Sequence, residues 1–216
     1  MPLSTGFGSV FCRRTLTKRW VLRCDARPLL AGVAKIFSPY LVAAVFGLVL
    51  IADAGTAAMA FTLTSSAFKN GGAIPSQFSC EGDDLSPPLA WDDVPDGTKS
   101  FALIIDDPDA PDPKAPKIVW VHWILYNLPA DMRGLTEGAA TSDLPRGAAA
   151  GLNDFKHNSY GGPCPPVGRH RYFHKLYALD TTLALKTPTK AALEAAMQGH
   201  VVAKAEWIGT YQKGDR

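Results

Sequence analysis

FALIIDDPDAPDPKAPKIVWVHWILYNLP, residues 101–129, contains two apolar runs separated by a loop with four prolines. The first run ends at Ile105 and leads directly into acidic residues, so a buried strand would carry carboxylates at its end. The prolines exclude a helix in the loop, because each one fixes φ and removes a backbone donor. The second run predicts a returning strand from Ile118 to Leu128 with one ionisable side chain, His122. The stretch therefore predicts two strands with polar groups near their ends.

A second stretch, YGGPCPPVGRHRYFHKLYALD at residues 160–180, predicts a Gly/Pro-rich loop followed by a strand that begins at His170. Because residues two apart on a strand project to the same side, His170 and Tyr172 point together. Arg171 points to the opposite side, where we expect it to pair with a carboxylate such as Asp109. The prolines stiffen the loop, and its remaining backbone amides could bind an anion.

Three acidic residues follow the first apolar run. Asp107 and Asp109 point the same way if the segment stays extended, and Asp106 points the other way. An Asp next to Pro also forms turns with its own backbone, and this alternative stays open for Asp106 and Asp109. We predict a functional role for Asp107. His122 is either a satisfied core residue or an imidazole bonded to one of these carboxylates, which would fix its tautomer.

The rest of the mature chain predicts short strands and one late helix. Residues 189–199 combine good helix formers with Pro188 near the start and Gly199 at the end. Residues 130–159 are irregular and predict a long functional loop with at most one helical turn. Strands are predicted at irregular spacing, in FTLTSSAF from Phe61, at Leu89 to Trp91, from His170 to Leu179 and from Val201 to Tyr211. This pattern predicts a mainly β fold, an antiparallel Greek-key β-sandwich with one or two short helices.

Composition indicates a globular protein whose main domain has no excess of positive charge. The chain has 216 residues, of which 47% are hydrophobic and 19% charged. Residues 1–60 hold seven Lys or Arg and two Asp or Glu. The remainder therefore has 22 − 7 = 15 basic and 20 − 2 = 18 acidic residues, a net charge of −3. This balance argues against nucleic acid as a partner.

The first 60 residues predict an export signal. A basic segment precedes an apolar run from Leu41 to Ala52 and the small residues Ala58-Met59-Ala60. The run is shorter than the roughly 20 residues that span a bilayer, which favours a cleaved signal over an anchor. An uncleaved tether and a start site placed too far upstream remain alternatives. We expect a single domain at 61–216, periplasmic or secreted.

Cys80 and Cys164 are the cysteines that follow the leader. In an exported domain they could form a disulfide, which would stabilise the fold by ~4 kcal/mol because it closes a long loop. They could also be two separate thiols near one pocket. Separate thiols are favoured at this point, because sequence alone does not bring the two Cα atoms within bridging distance.

Two catalytic hypotheses for these residues are weaker than the hypothesis of a binding site. Two imidazoles and a carboxylate match the facial triad of a non-haem iron site, but the residue spacing of a cupin-type barrel is missing, so no metal is expected. Cys164 could be a nucleophile with His170 as its base. A Cys between two prolines, away from a helix N-terminus, lacks the usual means of lowering its thiol pKa. His157, His174 and His200 are expected to be surface or core residues.

The chain resembles the phosphatidylethanolamine-binding protein family, in its bacterial YbhB/YbcL-like, Raf-kinase-inhibitor-like branch. The resemblance rests on DPDAP, VWVHW and GPCPPVGRHRY in that order, with FSCEGDDLSPPLAW before them and HVVAKAEWIGTYQ after them. It covers nearly all of 61–216. It implies a β-sandwich with a small anion pocket, without metal, cofactor or established catalysis. Carried onto this chain, the ligand-binding residues are Asp107, Pro108, Trp120, His122, Cys164, Pro165, His170 and Tyr172.

The resemblance implies a non-enzymatic protein that binds a phosphate-type or phosphoethanolamine head group. On this hypothesis His170, the Tyr172 hydroxyl and loop amides bind the phosphate oxygens. Asp107 orients an imidazole or meets the ammonium group of the ligand. The alternative is an inhibitor that acts on a partner kinase or protease through the pocket rim, and a metal-assisted hydrolase is the third hypothesis.

Overall fold

Residues 60–214 are described by the structure, a computed structural model, and they form two antiparallel sheets. The α-helix of this range, α1, spans Lys190–Met197, and 3-10 turns lie at Ser76–Phe78 and Thr141–Asp143. The strands are β1 (Thr62–Thr64), β2 (Leu89–Asp92), β3 (Ser100–Asp107), β4 (Trp120–Pro129), β5 (Gly134–Leu135), β6 (Ala149–Ala150), β7 (His170–Leu179) and β8 (Val201–Tyr211).

The larger sheet places three strand ends side by side. Its order is β6-β4-β3-β7-β8, and the smaller sheet has the order β1-β2-β5. Asp107 at the end of β3 pairs with Trp120 at the start of β4. On the other side of β3, Asp106 pairs with Phe173, close to the start of β7. The chain leaves β4 and returns as β7 on the far side of β3, which is a Greek-key type of crossover.

Strand β3 is buried on both faces. Phe101, Leu103 and Ile105 pack against the small sheet in one core cluster. Ala102 and Ile104 face the opposite side, in a second cluster that includes Leu193 and Met197 of α1. A strand covered on both faces has an unbroken apolar sequence, which explains the run that precedes the acidic residues.

The predicted fold class, a mainly β antiparallel sandwich with a short helix, is confirmed. The loop predicted at 130–159 contains the one helical turn that was expected, at Thr141–Asp143, but it differs from the prediction in containing the short strands β5 and β6. The export-signal prediction concerns residues 1–60, of which 1–59 lie outside the described residues. No helix within 60–214 is both long and apolar enough to cross a bilayer.

The two cysteines form a disulfide, so the favoured expectation of separate thiols is wrong. The Cα atoms of Cys80 and Cys164 are 5.4 Å apart although 84 positions separate them in sequence. Two hydrogen bonds hold the same segments together: the Cys80 amide donates to the Pro163 carbonyl at 3.1 Å, and the Gly162 amide donates to Asp84 Oδ1 at 2.6 Å. The contact is tertiary, and for that reason local sequence did not show it.

His174 is a buried histidine that should make the fold acid-sensitive. Its side chain is fully buried in β7, and its Nδ1–H donates to the Tyr172 carbonyl at 3.3 Å. Its Nε2 is buried without a hydrogen-bond partner among the described residues. Burial lowers the pKa of His174 to about 4. Because the unfolded chain then binds the proton more tightly, stability is lost as pH falls below about 6.5.

We expect the free energy of unfolding to fall by about 2 kcal/mol from His174 alone between about pH 7.5 and pH 5. Urea titrations at the two pH values measure this change. His174→Leu should flatten the pH dependence by that amount, whereas His200→Gln, at an exposed histidine, should leave it unchanged. The same dependence in His174→Leu and in the wild type would contradict the assignment. His122 is also buried with a lowered pKa and contributes in the same direction in all three proteins.

Candidate functional site

A cavity of about 280 Å³ lies where the ends of β3, β4 and β7 meet. Seven of the eight residues that the sequence singled out line it, and Pro108 does not. The other lining residues are Ala110, Pro111, Ile118, Phe155 and Pro166. Antiparallel register brings the predicted polar residues together, because the end of β3 lies beside the starts of its two neighbours.

Asp107 and His170 form a buried ion pair at the cavity. His170 Nδ1 lies 2.7 Å from Asp107 Oδ2, and the two side chains are 0% and 5% exposed. The other carboxylate oxygen accepts from the Asp109 amide at 2.7 Å. His170 Nε2–H donates to the Val167 carbonyl at 3.0 Å, so both ring nitrogens of His170 lie against protein oxygens.

This geometry corrects two sequence-based expectations. His170 was expected to donate to the ligand, but both of its nitrogens already bind protein oxygens. Asp107 was one of the carboxylates expected to hold His122, but it holds His170. The sequence predicted that His122 and His170 both lie near Asp107. Only the tertiary structure shows which of the two histidines bonds to it.

His122 presents an acceptor to the cavity. Its Nδ1–H donates to the Gly161 carbonyl at 2.6 Å. Burial lowers the pKa of His122, with the Gly161 carbonyl and Asp107 acting in the opposite direction. The neutral ring therefore carries a lone pair on Nε2, and the His122 side chain lines the cavity. That atom is available to a ligand.

Tyr172 contributes a polar atom that has no hydrogen-bond partner in the described chain. The side chain lines the cavity and is 1% exposed, and its buried hydroxyl has no hydrogen bond within the described chain. Burial, reinforced by the nearby Asp107 charge, raises the pKa of Tyr172, so the hydroxyl keeps its proton. A buried hydroxyl without a partner destabilises a fold by about 1–3 kcal/mol unless a ligand or water satisfies it.

Aromatic side chains form one wall, and sequence reasoning missed one of them. The ring of Phe155 lies edge-on to Trp120 at 5.4 Å and to His122 at 5.5 Å. Its loop is tied to β4, because Asp154 Oδ2 accepts from the Val121 amide at 2.8 Å and Asn153 Nδ2 donates to the His122 carbonyl at 3.1 Å. The only sequence signal was an aromatic residue inside a loop predicted to be functional.

Cys164, Pro165 and Pro166 of the segment 161–166 also line the cavity, and the disulfide ties this segment to the loop around Cys80. Two of its amides are not free for an anion: the Gly161 amide donates to the His122 carbonyl at 3.2 Å, and the Gly162 amide donates to Asp84. A Cβ at Gly162 would lie 2.4 Å from Asp84 Oδ1, so only glycine fits there. The expectation that these two amides bind a phosphate is therefore wrong.

The remaining acidic residues have structural partners. Arg171 pairs with Asp109 through two side-chain hydrogen bonds of 2.7 and 2.9 Å, as predicted, and this lowers the pKa of Asp109. Asp106 is fully buried on the other face of β3 and accepts from Lys175 and Lys190. Within 60–214, no three His, Cys, Asp or Glu side chains are grouped so that they could hold a metal ion.

Comparisons with known proteins agree with this fold. The family model for phosphatidylethanolamine-binding protein matches residues 64–212. A UPF0098 protein of Methanothermobacter thermautotrophicus is 48% identical over 154 residues, 70% of this chain and 99% of that protein. A UPF0098 protein of Aquifex aeolicus is 44% identical over 154 residues, 69% of this chain and 86% of that protein.

Two solved structures are similar in fold and sequence. A phosphatidylethanolamine-binding protein homologue of Chlamydia trachomatis has a TM-score of 0.65 and 44% identity, with 71% of this chain and 98% of that chain covered. YbcL of E. coli has a TM-score of 0.64 and 34% identity, with 71% and 99% covered. The family model, the relatives and the shared antiparallel fold lead to one conclusion: the chain belongs to the phosphatidylethanolamine-binding protein family.

Proposed function

We propose that this protein binds a small phosphorylated head group, such as phosphoethanolamine, in the cavity, and that it does so without turning the ligand over. The observation that carries the proposal is the buried Tyr172 hydroxyl, which has no hydrogen-bond partner among residues 60–214 and lines the same cavity as the His122 ring with its Nε2 lone pair. Buried polar atoms of folded proteins are nearly always satisfied, so a ligand with polar atoms of its own fits this place.

The charges of the site suit a zwitterion better than a bare anion. The Asp107 carboxylate is balanced by His170 and would otherwise repel a phosphate. A phosphate oxygen can accept from the Tyr172 hydroxyl, and a proton shared with His122 Nε2 can come from the ligand or from solvent. An ammonium group can lie against the faces of Trp120 and Phe155, where cation–π attraction contributes about 0.5–1 kcal/mol or more. The family is itself described as phosphatidylethanolamine-binding.

We further propose that the domain works outside the cytoplasm, as a periplasmic or secreted protein. The disulfide supports this proposal, because such bridges persist in oxidising compartments. The leader predicted from the sequence supports it independently.

Tyr172→Phe tests the head-group proposal, because it should weaken ligand binding without destabilising the free protein. We expect it to weaken phosphoethanolamine binding about tenfold, because a hydrogen bond to a charged group is lost. We expect the free protein to keep its stability or to gain up to about 1 kcal/mol, because a buried hydroxyl without a partner is removed. Isothermal calorimetry with phosphoethanolamine, and with inorganic phosphate as a second probe, measures the first effect, and urea denaturation measures the second.

Tyr126→Phe is the matched control. The Tyr126 hydroxyl is buried on the helix side of the sheet and donates to the Leu185 carbonyl at 3.1 Å. This variant should lose about 1 kcal/mol of stability and bind phosphoethanolamine normally. Unchanged affinity in Tyr172→Phe, or no binding by the wild-type protein, would reject the proposal.

A further inference from the structure

One backbone peptide group, between Gly161 and Gly162, connects Asp84 to His122 behind the cavity. The amide of this group, the N–H of Gly162, donates to Asp84 Oδ1 at 2.6 Å. The carbonyl of the same group, the C=O of Gly161, accepts from His122 Nδ1–H at 2.6 Å. A continuous hydrogen-bonded chain therefore runs from an acidic side chain, through one peptide, to an imidazole that lines the cavity.

The fold holds both ends of this chain in place. The Gly161 amide donates to the His122 carbonyl at 3.2 Å, so Gly161 is bonded to both the backbone and the side chain of His122. At the other end, the disulfide and the bond from the Cys80 amide to the Pro163 carbonyl keep the loop that carries Asp84 against the glycines. The connection is thus part of the tertiary structure and not a chance contact of a free side chain.

The contact depends on the missing side chains of the two glycines. A Cβ at Gly162 would lie 2.4 Å from Asp84 Oδ1, and a Cβ at Gly161 would lie 2.7 Å from two ring carbons of Phe155. Both glycines are buried, so water does not compete for their peptide group. Bare backbone therefore lets a carboxylate approach the peptide from one side and an imidazole from the other.

A hydrogen-bonded chain of this kind transmits the effect of a charge. A negative charge at the N–H of a peptide polarises its carbonyl, which then accepts a hydrogen bond more strongly, and a buried setting strengthens this effect. Burial lowers the pKa of His122, and the hydrogen bond to Gly161 and the charge of Asp84 both oppose that lowering. The Asp84 carboxylate should therefore strengthen the hold of the Gly161 carbonyl on the proton at His122 Nδ1.

We infer that Asp84 is a positioning residue of the binding site, which acts through the Gly161–Gly162 peptide to keep the proton of His122 on Nδ1 and the lone pair on Nε2. The hydrogen bond that one ring nitrogen makes decides which nitrogen of a histidine carries the proton. Asp84 does not line the cavity, so it does this without touching the ligand. Its effect on affinity rests on the proposed function, whereas its effect on His122 does not.

NMR of the ligand-free full chain, with ¹⁵N-labelled histidine, tests the effect on His122. Asp84→Asn keeps an oxygen that can accept from the Gly162 amide but removes the charge. We expect the proton resonance of His122 Nδ1–H to shift upfield, because its hydrogen bond to Gly161 weakens. Asp84→Ala removes the acceptor as well, and part of the molecules should then carry the His122 proton on Nε2. Asp84 is exposed, so neither variant removes a buried charge.

Calorimetry with phosphoethanolamine tests the consequence for binding. We expect the affinity to fall about threefold in Asp84→Asn and about tenfold in Asp84→Ala, the size of effect that a lost hydrogen bond has. Asp83→Asn is the matched control, because it removes the same charge from the neighbouring exposed residue, while the Gly162 amide bonds to Asp84. This control should leave the His122 signals in place and change the affinity less than about twofold.

The ring signals of His170 separate positioning from a general loosening of the site, since His170 is bonded to Asp107 and Val167 and not to this peptide. Identical His122 signals in Asp84→Asn and the wild type would overturn the inference. So would equal shifts in Asp83→Asn, or shifts of His170 as large as those of His122. Unchanged affinity despite shifted His122 signals would overturn the role in binding. If the wild type binds no phosphoethanolamine, the proposed function fails, and the NMR comparison by itself still supports or overturns the control of His122 by Asp84.

Discussion

Replacing both Cys80 and Cys164 with serine is expected to lower the free energy of unfolding by about 4 kcal/mol, the loss that the chain-entropy model gives for a loop of this length. The bridge spans 84 positions, so the unfolded chain gains much conformational freedom when it is absent. It also ties the cavity wall at 161–166 to the loop around Cys80. Phosphoethanolamine binding should therefore weaken in the same variant.

Urea denaturation of the full chain measures this loss. Reduction of the wild-type protein is a second way to obtain the form without the disulfide. Cys12→Ser/Cys24→Ser is the control, because it removes the other two cysteines and leaves the bridge intact. A loss smaller than about 1 kcal/mol, or an equal loss in the control, would mean that the bridge does not constrain the unfolded chain as expected.

His170→Leu is expected to lower the free energy of unfolding by about 3–4 kcal/mol, because removal of one partner leaves a buried charge uncompensated. The Asp107 carboxylate would keep only the Asp109 amide as a donor. If His170 only bound the ligand, as the sequence analysis expected, its removal would cost little stability. Chemical denaturation at neutral pH distinguishes the two roles.

A double-mutant cycle makes this test specific. Asp107→Asn/His170→Leu should recover part of the loss, because the carboxylate that needs a counter-charge is gone. The exposed pair of His200 and Asp180, with side chains 47% and 52% exposed, provides the comparison. His200→Leu should change stability by less than about 0.5 kcal/mol, because solvent screens exposed pairs. If His170→Leu were no more destabilising than His200→Leu, the pair would be unimportant for folding.

Much of the fold followed from local patterns. Strands β7 and β8 were predicted with the bounds that the structure has, His170–Leu179 and Val201–Tyr211. Both strands alternate buried and less buried residues along part of their length. This two-residue period is visible in the sequence as an alternation of apolar and polar residues. The strand predicted from Phe61 was too long, because only Thr62–Thr64 pair with β2. The alternation of residue types that predicted the strand continues after Thr64, but β2 does not extend far enough to pair with those residues.

The sequence predicted which polar residues lie together at the candidate site, but not the hydrogen bonds between them. Asp107, His122, His170 and Tyr172 were brought together correctly, because each lies at or near a strand end and strand ends meet at a sheet edge. Phe155 was missed, since its place depends on the bonds of Asp154 and Asn153 to β4, about 30 positions away. Nothing within the loop itself indicates that contact.

The sequence by itself determined the long strands β3, β4, β7 and β8, the cluster of polar residues at their ends and, through three ordered motifs, the family. These depend on periodicity, proline and glycine chemistry and residue identity, all of which are local. Only the tertiary structure decided that Asp107 holds His170 and not His122, that Cys80 reaches Cys164, and that the Tyr172 hydroxyl is left without a partner. Those outcomes depend on distances between segments 63 and 84 positions apart. Such distances are set by the packing of the whole sandwich, and no local pattern encodes them.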